Sequence, residues 1–162
     1  MKELMIESKN FSKKIDPESS FFHLFEEILN HIKILKEEYF LLSYKLDYPN
    51  ANLEIENKND PDDFVLISLS RFSIEFRTKL FEFEQFFDEA GAIDLYKKIV
   101  RAFFEGEYKV FAYFKPKGKF AYYDLKWDDS KLSQFNSNNE VYGFFFKVPL
   151  SEKYFCNGNI LV

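Results

Sequence analysis

The only two histidines of this 162-residue chain, His23 and His31, stand four residues either side of Glu27. On a helix such residues are neighbours, so the row could hold a divalent metal. The spacing is not that of the His-Glu-x-x-His zinc motif. The same row also reads as a solvated helix face, because Glu26, Asn30 and Lys33 lie alongside it. No metal and no cofactor are expected there.

A second pattern is Pro61-Asp62 followed by Glu75-Phe76-Arg77. Some metal-dependent nucleases use two carboxylates to hold a cation and a lysine to support the attacking water. Arginine stands at the lysine position here and does not release its proton, so the base is lost. Asp124-Leu125-Lys126 has the right tripeptide but lies far downstream. A small metal-dependent hydrolase using Asp62, Glu75 and Lys126 is therefore the alternative reading, not the first. For nucleophilic catalysis the chain offers neither a Gly-x-Ser-x-Gly elbow nor a glycine-rich phosphate loop. Cys156, in Phe-Cys-Asn-Gly-Asn, has no local feature that would lower its pKa. The chain is not expected to be an enzyme.

Charge is the more informative signal. From Asp47 to Asp63 there are six acids (Asp47, Glu54, Glu56, Asp60, Asp62, Asp63) against the single base Lys58. Glu82, Glu84, Asp88 and Glu89 follow within eight residues, with no base among them. Lys109 to Lys126 runs the other way, with five lysines and only Asp124. Acidic clusters favour a basic partner and act mainly by steering encounter. They also serve solubility on ordinary surfaces. The net charge is −5 and only three residues are arginine, which argues against direct nucleic-acid binding.

Cys156 is the only cysteine, so no disulfide can form within the chain, as suits a reducing compartment. Glu3 and Glu7 break the apolar character that a signal peptide needs. The apolar runs are far shorter than the roughly 20 residues of a membrane span. The chain reads as one cytoplasmic α+β domain over residues 1–162, with no membrane association and with residues 1–15 partly loose.

The elements that must position these residues follow from periodicity. Asp16-Pro17 reads as a helix start. Phe21, Phe25, Ile28, Ile32, Leu35, Tyr39 and Leu42 then form one stripe, predicting a long helix to about Leu46. Tyr48-Pro49-Asn50 ends it. Strands are predicted at Asn52–Glu56, Phe64–Ser70 and around Phe72–Phe76, with Lys79–Phe87 undecided between strand and helix. A second helix is predicted from about Asp88 to Phe104, closed by Gly106. Glu107–Phe114 and Lys119–Trp127 read as a hairpin turned by Lys115-Pro116-Lys117-Gly118. A polar loop, a strand at Val141–Val148 and an irregular C-terminal segment complete the chain. This order predicts an antiparallel sheet of about five to six strands, with both helices packed on one face.

Asp88 to Arg101, Glu105-Gly106-Glu107-Tyr108 and Tyr122 to Trp127 resemble the immunity proteins of bacterial contact-dependent growth inhibition and other polymorphic toxin systems. The resemblance covers about residues 64–127 and carries no catalytic motif, so it assigns no residue a role. It implies a small cytoplasmic inhibitor that binds one cognate toxin domain and occludes its active site. A nuclease toxin has a basic substrate channel, which the acidic stretches would suit. The expected contact residues are Glu54, Glu56, Asp60, Asp62, Asp63, Glu82, Glu84, Asp88 and Glu89. Tyr113, Tyr123 and Trp127 of the hairpin are the expected aromatic anchors. A cytoplasmic protein-binding adaptor is the other alternative.

Overall fold

The computed structural model describes residues 1–79, 81–86, 93–114, 116–118, 120–135, 137–138 and 151–157. The fold is α+β with antiparallel sheets, and the chain divides into two compact units, Met1–Arg101 and the residues from Ala102 onward.

The first unit opens with helix α1 (Lys2–Ser12), where a loose segment was expected. Leu4 and Phe11 are buried, which anchors the helix. Helix α2 (Ser20–Ile32) follows. Its cap is Ser19, not Asp16: the Ser19 hydroxyl accepts the Phe22 N–H at 3.2 Å, while Asp16 organises the preceding turn by accepting the Glu18 N–H at 3.0 Å. Phe21, Leu24, Phe25, Ile28, Leu29 and Ile32 are all buried, an apolar arc wider than a two-position seam. Phe11 packs edge-on against Phe25, with ring centroids 5.1 Å apart, and so joins α1 to α2.

The long helix expected to Leu46 ends at Ile32. Residues Phe40–Asp47 instead form strand β1. Phe40, Leu42, Tyr44 and Leu46 alternate with Leu41, Ser43, Lys45 and Asp47, and this strand period overlaps the helical stripe at Leu42. Pairing decides the outcome, because all eight residues of β1 find partners on β2 (Asn50–Asn57). Tyr48-Pro49, expected to stop a helix, lies instead in the turn of that hairpin and has a cis peptide bond.

Strands β3 (Asp60–Leu69), β4 (Ser73–Thr78) and β5 (Glu82–Phe86) extend the sheet in simple order β1-β2-β3-β4-β5. Alternation wins in the segment that was undecided. The inner face carries Ala51, Leu53, Ile55, Val65, Ile67, Leu69, Ile74, Phe76 and Phe83, all buried. Ile32 at the end of α2 lines one cavity with Leu42 and Ile55, which places that end of α2 at this face, and Phe21 meets Tyr48 of the β1–β2 turn at 5.6 Å. Tyr44 of β1 faces α1: burial, then the Glu7 and Glu3 carboxylates, push its hydroxyl pKa up.

Helix α3 (Ile93–Glu105) begins in the first unit and ends in the second. Its end is as expected. Gly106 takes φ 72°, its N–H donates to the Phe103 carbonyl at 3.3 Å, and Glu107 N–H donates to Ala102 at 2.8 Å. This is the paired bonding of a Schellman cap.

In the second unit, β6 (Tyr108–Phe114) and β7 (Phe120–Trp127) form the expected hairpin. They belong to a separate four-stranded sheet of order β8-β7-β6-β9, with β8 at Ser137–Asn138 and β9 at Ser151–Asn157. β9 replaces the irregular segment expected after Pro149. Ladder bonds to β6 run through the backbone and need no side-chain pattern. Phe103 stacks on Tyr108 at 5.7 Å, and Tyr108 meets Trp127 edge-on at 5.7 Å. The strand expected at Val141–Val148 lies outside the described residues.

Candidate functional site: an acidic sheet face

Strand register brings the two acidic stretches together. On the outer face of the five-stranded sheet one cross-strand row reads Ser43, Glu54, Leu66, Arg77, Glu82. The next row reads Lys45, Asn52, Ser68, Glu75, Glu84. Glu56 lies between Leu41 and Phe64 in a third row. Glu54 and Glu56 thus share a surface with Glu82 and Glu84, although nearly 30 residues separate the pairs. Alternation alone predicts which residues point outward. Only the register tells which of them are neighbours.

Two of the carboxylates on this face share one arginine. Arg77 donates to Glu75 at 2.8 Å and reaches Glu82 at 3.1 Å, and the charges of Glu75 and Glu82 raise its pKa. Glu54, Glu56 and Glu84 have no ion-pair partner among the described residues. Glu54 and Glu56 lie directly across from Leu66 and Phe64, which are only half-buried, and Glu84 lies two strands further on, beside Glu75. The result is an acidic surface that includes an apolar patch. Reading the sequence by charge runs alone left out Glu75, Arg77, Phe64 and Leu66.

The β2–β3 loop acids are placed differently. Asp60 accepts the Asp62 N–H at 3.1 Å, and Asp63 accepts from the Asn57 amide at 3.2 Å. Asp62 pairs with Lys79 at 3.0 Å. The hydrogen bond and charge of Asp62, with Asp60 and Asp63 nearby, raise the pKa of that lysine. These three acids therefore hold their own turn together and recruit a base from outside the acidic stretch. Asp88 and Glu89 lie outside the described residues.

The three aromatic anchors also separate. Tyr113 stacks on Tyr122, with centroids 4.6 Å apart. Tyr123 lies opposite Ala112, on the side of β7 shared by buried Leu125 and Trp127. Trp127 is 6% exposed and donates its indole N–H to the Phe135 carbonyl at 3.3 Å, so it serves the core of its unit and offers no anchor.

The catalytic candidates are dispersed. Glu75 pairs with Ser68, six residues along β3 from Asp62, a strand distance of roughly 20 Å. Two carboxylates that far apart cannot share a cation. Lys126 belongs to the second unit, where it lies 4.5 Å above the Phe111 ring. Glu27 does not face a metal site but Arg101, whose Nε and Nη2 donate to its two oxygens at 2.6 and 3.3 Å. The hydrogen bond and charge of Arg101 lower the carboxyl pKa against the opposing effect of burial. His31 lies 3.6 Å from the same carboxylate. Among the described residues no three metal-ligating side chains converge, and no helix is long and apolar enough to cross a membrane. Cys156 is on β9, opposite Val110.

Comparison with protein-family models, with curated proteins and with solved structures finds no match.

Proposed function

We propose that this chain is a protein-binding inhibitor of the immunity type, acting in the cytoplasm by covering the basic active site of a cognate toxin domain, such as a nuclease. The observation that carries this reading is the outer face of the five-stranded sheet. There Glu54, Glu56 and Glu84 have no ion-pair partners among the described residues, and Glu54 and Glu56 lie directly across from the half-buried Leu66 and Phe64. Such a face offers what a basic active-site cleft lacks: carboxylates to attract it and apolar area to hold it once it has lost its water. The resemblance over residues 64–127 points the same way.

The test is co-expression. A candidate toxin domain, sought in the gene adjoining that of this chain, is expressed with and without it, and growth is followed. Protection by the wild-type chain is expected, with loss of protection in a Glu54→Lys/Glu84→Lys double variant that retains its fold. Protection that survives the double variant would move the interface elsewhere. Absence of any protection would remove the inhibitor reading.

A further inference from the structure

A second surface lies at the free edge of the same sheet. Among the described residues β1 is an edge strand. Its inward positions Phe40, Leu42, Tyr44 and Leu46 are only half-buried, whereas Leu53 and Ile55 of the adjoining strand are 0% and 1% exposed. The inner layer therefore stops one strand short of being covered. At the N-terminal half of β1 a cavity of about 220 Å³ opens between the end of α2 and the sheet, walled by Leu35, Phe40 and Leu42 over a floor of Ile32 and Ile55. That volume is below the range of small-molecule pockets, roughly 300–1,000 Å³, and suits one large apolar side chain.

The surroundings define what would enter. Leu41, 53% exposed, lines the opening, and Tyr39, 48% exposed, lies beside Lys36 at its rim. Lys36, Lys58 and Met1 line it together with one carboxylate, Glu37, which pairs with the Met1 ammonium at 3.5 Å and leaves the rim net basic, and Lys36 lies 5.8 Å from the Tyr39 ring. Lys58 is held in place because its ammonium donates to the Glu37 carbonyl. An edge strand with unsatisfied inward positions binds extended chain through backbone hydrogen bonds, while alternate side chains fill pockets beside it.

We infer that β1 accepts an extended segment of a partner protein as a sixth strand, with one aromatic or large aliphatic side chain seated in the cavity and acidic neighbours meeting Lys36 and Lys58. This surface has the opposite charge preference to the acidic face, and it stands whether or not the partner is a toxin.

The experiment titrates the folded chain with the blocked peptide Glu-Val-Phe-Val-Glu and follows backbone amide resonances. Shifts confined to residues 40–47 and to Leu35 and Ile55 are expected, with binding at least fivefold tighter than that of Lys-Val-Phe-Val-Lys. Lys58→Glu should reverse that preference, and backbone N-methylation of the peptide should abolish binding while leaving its side chains unchanged. Leu41→Glu, at an exposed position, should weaken binding at least fivefold without changing the rest of the spectrum. The inference is overturned if β1 does not shift, or if the acidic, basic and N-methylated peptides bind alike. A peptide-free dimer dissolved by Leu41→Glu would also overturn it, by giving the edge to a second copy of the chain.

Discussion

Arg101 of α3 grips Glu27 of α2 with two hydrogen bonds, of 2.6 and 3.3 Å. Glu27 is 13% exposed and Arg101 53%, so one partner is sheltered and the other largely solvated. Glu27→Gln should cost about 1 kcal/mol, less than a fully sheltered hydrogen bond to a charged group because the arginine is largely solvated. The pH dependence follows from the lowered carboxyl pKa. Its contribution is fully present above the ordinary glutamate value of 4.5 and fades as pH falls through the lowered folded value. Urea denaturation of both proteins between pH 7 and pH 3 should show the gap closing only in the acid range.

Ile32 and Tyr39 lie on the same sequence stripe and are predicted to behave oppositely. Ile32 is 0% exposed and Tyr39 48%. Ile32→Ala should cost about 2–5 kcal/mol as a core cavity. Tyr39→Ala should stay within about 0.5 kcal/mol. Chemical denaturation midpoints separate the two, and equal losses would return Tyr39 to the core.

Charge reversal should distinguish the sheet face from the loop. Glu54→Lys with Glu84→Lys removes carboxylates that have no partner among the described residues, so stability should hold while association with a basic partner slows and loses its salt dependence. Asp60→Lys, Asp62→Lys and Asp63→Lys together break two bonds within the β2–β3 turn and the pair with Lys79, so that variant should lose stability first. Stopped-flow association at two salt concentrations, with thermal melts of each variant, checks both outcomes.

Gly106→Ala should destabilise by about 1 kcal/mol, because φ 72° is a left-handed conformation that a Cβ disfavours. A melt of the variant checks this. An unchanged midpoint would mean that the Schellman cap is dispensable.

Period and capping chemistry made much of the first unit legible. Leu53 and Ile55 announced β2, and the apolar arc of α2 was plain. What misled was the coincidence of periods at Leu42, where steps of four and three overlap a step of two and only pairing with β2 decides. Asp16 and Ser19 both cap well, and their choice depended on where Phe21 and Leu24 could be buried. The acidic stretches were visible as composition, but the partners of their carboxylates were not. Lys79 reaches Asp62 across 17 residues and Arg101 reaches Glu27 across 74, separations that no local pattern encodes. Trp127 looked like an anchor because tryptophan is common at interfaces, yet its indole N–H had a carbonyl to satisfy inside its own unit.

The two sheets also differ in how far the chain must travel to close them. In the first, every strand pairs with the next one along, so each hairpin closes a short loop and the sheet can grow by zipping from β1 to β5. In the second, β6 waits for β9, whose first paired residue, Ser151, lies opposite Phe114. Loop-closure entropy delays such distant pairings. In a pulse-labelling experiment the amides of β2 to β4 should therefore gain protection early, and β9 should lock in last, so that the same chain contains a rapidly formed half and a slowly completed one.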